Sequence, residues 1–274
     1  PPAPARRRAI SMTAIDVRLP TLLADTDAPP TTVIRPEGRS DFLLVCDHAS
    51  RQIPPSLNEL GLTEVEQRSH IAWDIGAGAV VRQLADRLDA TAVTQNYSRL
   101  VIDCNRPLDA PDSIRTRSER GPIAANTGLN QQEREARQRE IFLPYHEAIR
   151  SILDERAQAG RTMQLVAIHS FTPVMDRVAR PWHVGLMARH HTALAETFAR
   201  LLRRDRRLHV GMNEPYAIDD DMDYTLPIHG EQRGIAHVGI EIRQDLIGDA
   251  DGQATWAGRL ANLFGHALNA AEHR

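Results

Sequence analysis

The sequence predicts an α/β fold, a mostly parallel or mixed sheet covered by helices on both faces. Three observations carry this. Apolar runs suited to strands alternate with stretches of helical periodicity along the whole chain. The runs are continuous, as in Phe42-Leu43-Leu44-Val45-Cys46, the pattern of strands buried on both faces. Four of them stop abruptly in polar residues: Asp47-His48, Asp103-Cys104-Asn105-Arg106, His169-Ser170 and Glu241-Ile242-Arg243. Ligands of open α/β sheets bind outside the carboxyl ends of the strands, so these are the residues to read for chemistry.

Residues 1–40, rich in Pro, Ala, Thr and Asp, predict an extended lead-in to one domain over 41–274. No apolar segment follows Arg6-Arg7-Arg8, so a secretory signal is not expected. Met12 offers an alternative start, with 1–11 as an upstream extension. After the 42–46 strand, Pro54-Pro55 interrupts, and 56–61 is a short helix or turn ending at Gly61. Thr63 and Glu66 form a capping box. Val80, Leu84 and Leu88 recur at helical spacing behind Asp74, whose simplest reading is an N-cap. Gly76 and Gly78 allow close backbone approach there.

Short strands at 92–94 and 100–102 flank Asn96-Tyr97-Ser98-Arg99. A long loop over 107–130 carries Arg115, Arg117 and Arg120, either a solvated basic face or a functional loop. A helix over 131–158 turns Ile141, Tyr145, Ile149 and Ile152 inward, and Pro144 should kink it. Then come strand 164–168, a loop through Pro173 and Pro181, strand 183–187, helix 191–204 and strand 208–212. A second long loop, 213–236, precedes strand 237–242. The last helix, 252–272, carries Trp256, Leu260, Leu263, Phe264, Ala267 and Leu268 on its apolar face.

The totals narrow the function. A net charge of −3 over 274 residues gives no global attraction to nucleic acid or an anionic membrane. No apolar run reaches the length of a membrane span. Two cysteines, Cys46 at the end of one apolar run and Cys104 just beyond another, are no disulfide framework and point to a reducing, cytoplasmic setting.

His48 and His169, with an acidic residue from a third position, are a donor set suited to zinc, which in catalytic sites takes three N or O ligands. Glu241, flanked by Ile240 and Ile242 in a strand pattern, is costly to bury without purpose. It is the candidate general base, with a salt bridge to Arg243 as the competing reading. Arg106 can hold a substrate carboxylate or stabilise an oxyanion. Asn105 can hold a substrate carboxylate or amide, or simply form the turn before Pro107. Cys104 is better read as a buried thiol than as a nucleophile.

Five ordered blocks resemble the N-formylglutamate amidohydrolase family: Cys46-Asp47-His48-Ala49-Ser50, Trp73-Asp74-Ile75-Gly76-Ala77, Tyr97 to Arg106, Ile168 to Pro173, and Ile240 to Leu246. That family is similar to zinc carboxypeptidases and aspartoacylases. The resemblance implies a three-layer α/β/α sandwich of the phosphorylase/hydrolase kind. The implied reaction is hydrolysis of N-formyl-L-glutamate to glutamate and formate, as in histidine degradation. One zinc per chain is implied, held by His48 and His169, with Glu241 as general base. In carboxypeptidase-like relatives an acidic ligand follows the first His by three residues. Here that position is Arg51, so the resemblance moves the third ligand to Asp74. Asp47 is next to the site but points to the opposite side of the strand from His48. His229 and Arg243 are further candidates for contact with the substrate. The broader substrate class is a small N-acyl amino acid with a carboxylate. Alternatives are a deacylase or peptidase-like amidase on another N-acyl substrate, and a non-catalytic ligand-binding relative.

Overall fold

The structure, a computed structural model, describes residues 21–272, with side chains through 267. Arg6-Arg7-Arg8, Met12 and the side chain of Leu268 lie outside the described residues.

The continuous apolar runs become the strands of one seven-stranded sheet. These are β1 (Thr31–Ile34), β2 (Phe42–Cys46), β3 (Thr91–Gln95), β4 (Gln164–Phe171), β5 (Val184–Met187), β6 (Val210–Met212) and β7 (Ala236–Arg243). Their order is β1-β3-β2-β4-β7-β5-β6. β3, β2, β4 and β7 are parallel neighbours, β1 and β5 run antiparallel to β3 and β7, and β6 runs parallel to β5. Four main helices cover it: α1 (Ala77–Leu88), α2 (Leu143–Gln158), α3 (Ala193–Leu202) and α4 (Ala250–Glu272).

Alternation along the strands divides the apolar residues between two cores. Phe42, Leu44, Val166, Ile168, Val238 and Ile240 pack with Val80 and Leu84 of α1, Phe198 of α3, and Trp256, Leu260 and Phe264 of α4. Leu43, Val45, Leu165 and Ala167 face the other way, toward Tyr145, Ile149 and Leu153 of α2. The result is the expected three-layer α/β/α sandwich with a mixed, largely parallel sheet. Each strand side chain with no exposure, such as Leu43 or Leu44, contributes about 1.5–3 kcal/mol of burial.

Three local features differ from expectation. In the described part of the lead-in, 21–40, Thr31–Ile34 belongs to the sheet, since β1 pairs with β3 along its edge. Residues 100–102 are buried yet form a turn, not a strand. The Val101 amide donates to Ser98 O, while Leu100 O and Val101 O accept from the side chains of Asn126 and Arg137. Side chains therefore satisfy these backbone groups where a strand ladder would have done so. The long helix begins as Gln131–Arg137 and passes through a π turn, Gln138–Phe142, before α2. The break falls in the turn just before Pro144.

The capping box at Thr63 and Glu66 is present and starts the short helix Glu64–Gln67. Among the described residues, no helix is long and apolar enough to cross a membrane.

Candidate active site

Three parallel strands deliver the chemistry to one sheet edge. His48 lies two residues beyond β2, and His169 and Glu241 lie near the carboxyl ends of β4 and β7 as direct register partners. Asp74 comes from the turn before α1. That helix is capped by Gly76, with no side-chain cap bond, so the Asp74 carboxylate is free for another role. Gly76 has φ +82°, and a Cβ there would stand 2.1 Å from Ile247 O. Only glycine fits this turn, and the turn points Asp74 back at the strand ends.

The His48 Nδ1, Asp74 and His169 Nδ1 atoms converge. Asp74 Oδ2 lies 3.3 Å from His48 Nδ1 and 2.8 Å from His169 Nδ1. The three donors lie within 4.8 Å of one another, and all three residues are buried. The far nitrogen of each imidazole meets a second carboxylate. His48 Nε2 is 2.7 Å from Asp103 Oδ1, and His169 Nε2 is 3.3 Å from Asp47 Oδ2. The Asp103 contact is a hydrogen bond and fixes which His48 nitrogen keeps its lone pair for a metal, while the Asp47 contact is an ion pair, with Asp47 Oδ2 free of any hydrogen bond. Arg99 braces the pair of acids, donating to Asp103 Oδ2 (2.8 Å) and Asp74 Oδ1 (3.4 Å).

Charge follows geometry. Burial opposes ionisation of Asp74, Asp47 and Asp103, but the facing imidazoles, and Arg99 at Asp103, outweigh it and hold all three carboxyls below their usual range, Asp47 at about 2. Against the same burial penalty, Asp47 and Asp74 raise His169 well above its ordinary value, and Asp103 and Asp74 raise His48. Burial pushes Glu241 up to about 7. Its Oε2 is buried and has no hydrogen-bond partner. Two imidazoles backed by carboxylates, a third carboxylate between them and an unsatisfied glutamate beside them fit a divalent cation with one position open.

These residues floor a cavity of about 660 Å³, within the range of small-molecule sites. Arg106, with Arg115, Ser118 and Glu119 of the first long loop, forms part of its wall, and the second loop supplies Pro215, Tyr216, Asp219, Met222 and Asp223. Arg137 fastens the first loop from behind. It is 1% exposed and donates to Asn126 Oδ1 (2.7 Å), and Asn126 in turn donates to Arg115 O (2.7 Å). Arg106 donates to Asp112 Oδ2 (3.1 Å) and to Met222 O. Arg115 shares Asp112, but its Nε is buried without a partner.

Three placements differ from the sequence reading, and Asn105 keeps its place at the cavity. His229 does not line the cavity. It sits in a π turn, Pro227–Glu231, with Nε2 3.0 Å from His146 Nδ1. Arg243 is also outside the cavity and turns to Asp245 Oδ1 (2.7 Å), away from Glu241. Asn105 lines the cavity, but its amide is committed to the second loop: Nδ2 donates to Asp223, and Oδ1 accepts from the Tyr224 and Thr225 amides. Asp47, expected to point away from the site, instead backs His169.

Sequence reading passed over Asp103, Asp47 and Arg99 as site residues. For Asp47 and Asp103 the signal was an acid at the end of an apolar run, the same one that exposed His48, whereas Arg99 precedes its run and carried no such signal. Cys46 and Cys104 are buried free thiols whose pKa values burial pushes well up, which removes Cys104 as a nucleophile.

Among solved structures, the gene product Atu2144 from Agrobacterium tumefaciens is 38% identical, with a TM-score of 0.88 over 92% of this chain and 99% of that one. An N-formylglutamate amidohydrolase from Ralstonia eutropha JMP134 shares the fold at 19% identity, with a TM-score of 0.67 over 90% of this chain and 98% of that one. No curated protein matches the chain. A model of the N-formylglutamate amidohydrolase family matches residues 40–248. That span holds every residue of the constellation above and most of the sheet, and the chain belongs to the N-formylglutamate amidohydrolase family.

Proposed function

We propose that the protein is a zinc-dependent hydrolase of the amide bond in a small N-acyl amino acid, with N-formyl-L-glutamate the leading substrate. One observation carries the reading: the buried His48–Asp74–His169 triangle opens into the same cavity as the unpartnered carboxylate of Glu241. Zinc held by His48 Nδ1, Asp74 and His169 Nδ1 would supply Lewis acidity and lower the pKa of water.

The chain's own residues do the rest. Glu241, with its pKa near 7, takes a proton from the attacking water and delivers it to the amide nitrogen. The water oxygen bonds the acyl carbon, the carbon–nitrogen bond breaks, and the products are a carboxylic acid and a free amine. Arg106 holds the substrate's carboxylate. Arg115, with a buried unpaired Nε–H on the same wall, offers a second guanidinium to an anionic substrate. Asp103 and Asp47 keep the imidazoles oriented. Buried free thiols at Cys46 and Cys104 fit a cytoplasmic enzyme.

The test is hydrolysis of N-formyl and N-acetyl amino acids before and after chelation. Chelation-sensitive turnover of N-formyl-L-glutamate, restored by zinc, is the expected result. Turnover of other acyl amino acids alone would move the substrate and keep the mechanism. Turnover untouched by removal of all metal would overturn the mechanism.

A further inference from the structure

Both carboxylates that back the imidazoles are tied to one short segment of the second loop, Asp223-Tyr224-Thr225. Thr225 has no exposure and donates its hydroxyl to Asp47 Oδ1 (2.6 Å). The other Asp47 oxygen is the one facing His169. Asn105 Oδ1 accepts from the Tyr224 and Thr225 amides (3.1 and 3.0 Å), and its Nδ2 donates to Asp223 Oδ1 (2.9 Å). The Asn105 backbone amide donates to Asp103 Oδ1 (2.9 Å), the oxygen that also meets His48 Nε2. Just upstream, the same loop forms cavity wall with Tyr216, Asp219 and Met222. A loop that bounds substrate space thus ends on the groups that aim both imidazoles.

We propose that Thr225 is a positioning residue: with Asn105, it couples the docked position of loop 213–225 to the alignment of His169 and His48. The inference rests on the reading of His48, Asp74 and His169 as a cation site. Without the Thr225 hydroxyl, Asp47 Oδ1 is a buried carboxylate oxygen with no donor. The carboxylate must turn or draw in water to satisfy it, and turning moves the other oxygen off His169. The coupling works in both directions. A cation held by His169 favours the docked loop, and the docked loop favours the cation. Valine reproduces the shape of threonine without the donor, whereas serine keeps the donor and loses a methyl group.

The experiment titrates zinc into metal-free wild type, T225V and T225S, records a melting temperature for each, and follows amide hydrogen exchange over 213–225 with and without zinc. T225V should bind zinc about 10–100-fold more weakly, and T225S should stay close to wild type. Zinc should slow exchange in the loop of wild type and T225S but not of T225V. On a substrate that wild type turns over, T225V should lower kcat with KM little changed. Wild-type zinc affinity in T225V overturns the proposal. Equal weakening in T225V and T225S, tracking a fall in melting temperature, also overturns it, since packing would then be the whole role of Thr225. A wild-type protein that takes up no zinc removes the site reading and this coupling together, a result visible in the wild-type titration alone.

Discussion

His48 and His169 have ring centroids 5.2 Å apart, and so do His146 and His229. Both pairs are buried, and both join distant parts of the chain. Their surroundings differ. The first pair sits between three carboxylates, which draw the imidazoles' pKa values upward. The second pair is stacked, with an interplanar angle of 16°. His146 Nε2 meets only the Cys104 carbonyl, and His229 Nδ1 meets nothing. Burial drives His146 to about 4 and His229 to about 3. Imidazole proximity therefore does not make a metal site. Carboxylates that neutralise a cation and aim the nitrogens do, and the second pair has none in hydrogen-bond contact.

The largest test of this contrast is at Glu241, the proposed general base. E241Q should keep bound zinc and lose about 10²–10⁴-fold in kcat. Loss of the metal instead would make Glu241 a ligand. Next come the backing acids. D103N and D47N should each weaken zinc binding about 10–100-fold in a competition titration with a chelator, and unchanged affinity in both would break the account of why the pairs differ.

The smallest effect is on stability. Both His146 and His229 have folded pKa values below the ordinary 6.5, so below that pH the unfolded chain binds protons that the fold excludes. Their contribution is complete above about pH 6.5 and is lost as pH falls toward the folded values. H229Q removes one such group. The urea-stability gap between wild type and H229Q should narrow on going from about pH 7.5 to 5, by at most about 1.4 kcal/mol per pH unit below 6.5. A gap that widens would mean His229 is charged in the fold.

The same contrast shows what could be read in advance. His48, His169 and Glu241 were legible because a polar residue ending a continuous apolar run has few places to go except the carboxyl edge of a buried strand. Asp74 was not legible by pattern, since an acid before a helix has the common alternative of capping it. Only family resemblance raised it, and the geometry at Gly76 explains why it does not cap. His229 falls off the cavity because long loops fold by tertiary contact, and no periodicity says which side of a loop faces a cavity; Arg243, the last residue of β7, turns to Asp245 instead. The 100–102 run misled for a related reason. Three apolar residues look the same in a buried strand and in a buried turn when Asn126 and Arg137, distant in sequence, satisfy the backbone.

The most direct measurement is a zinc titration of metal-free protein across both histidine pairs: wild type, H48A, H169A, H146Q and H229Q. One zinc per chain in wild type, H146Q and H229Q, with tight binding abolished in H48A and H169A, is the predicted result. Loss of zinc in H146Q and H229Q with retention in H48A and H169A would contradict the account, and so would a wild-type chain that binds none.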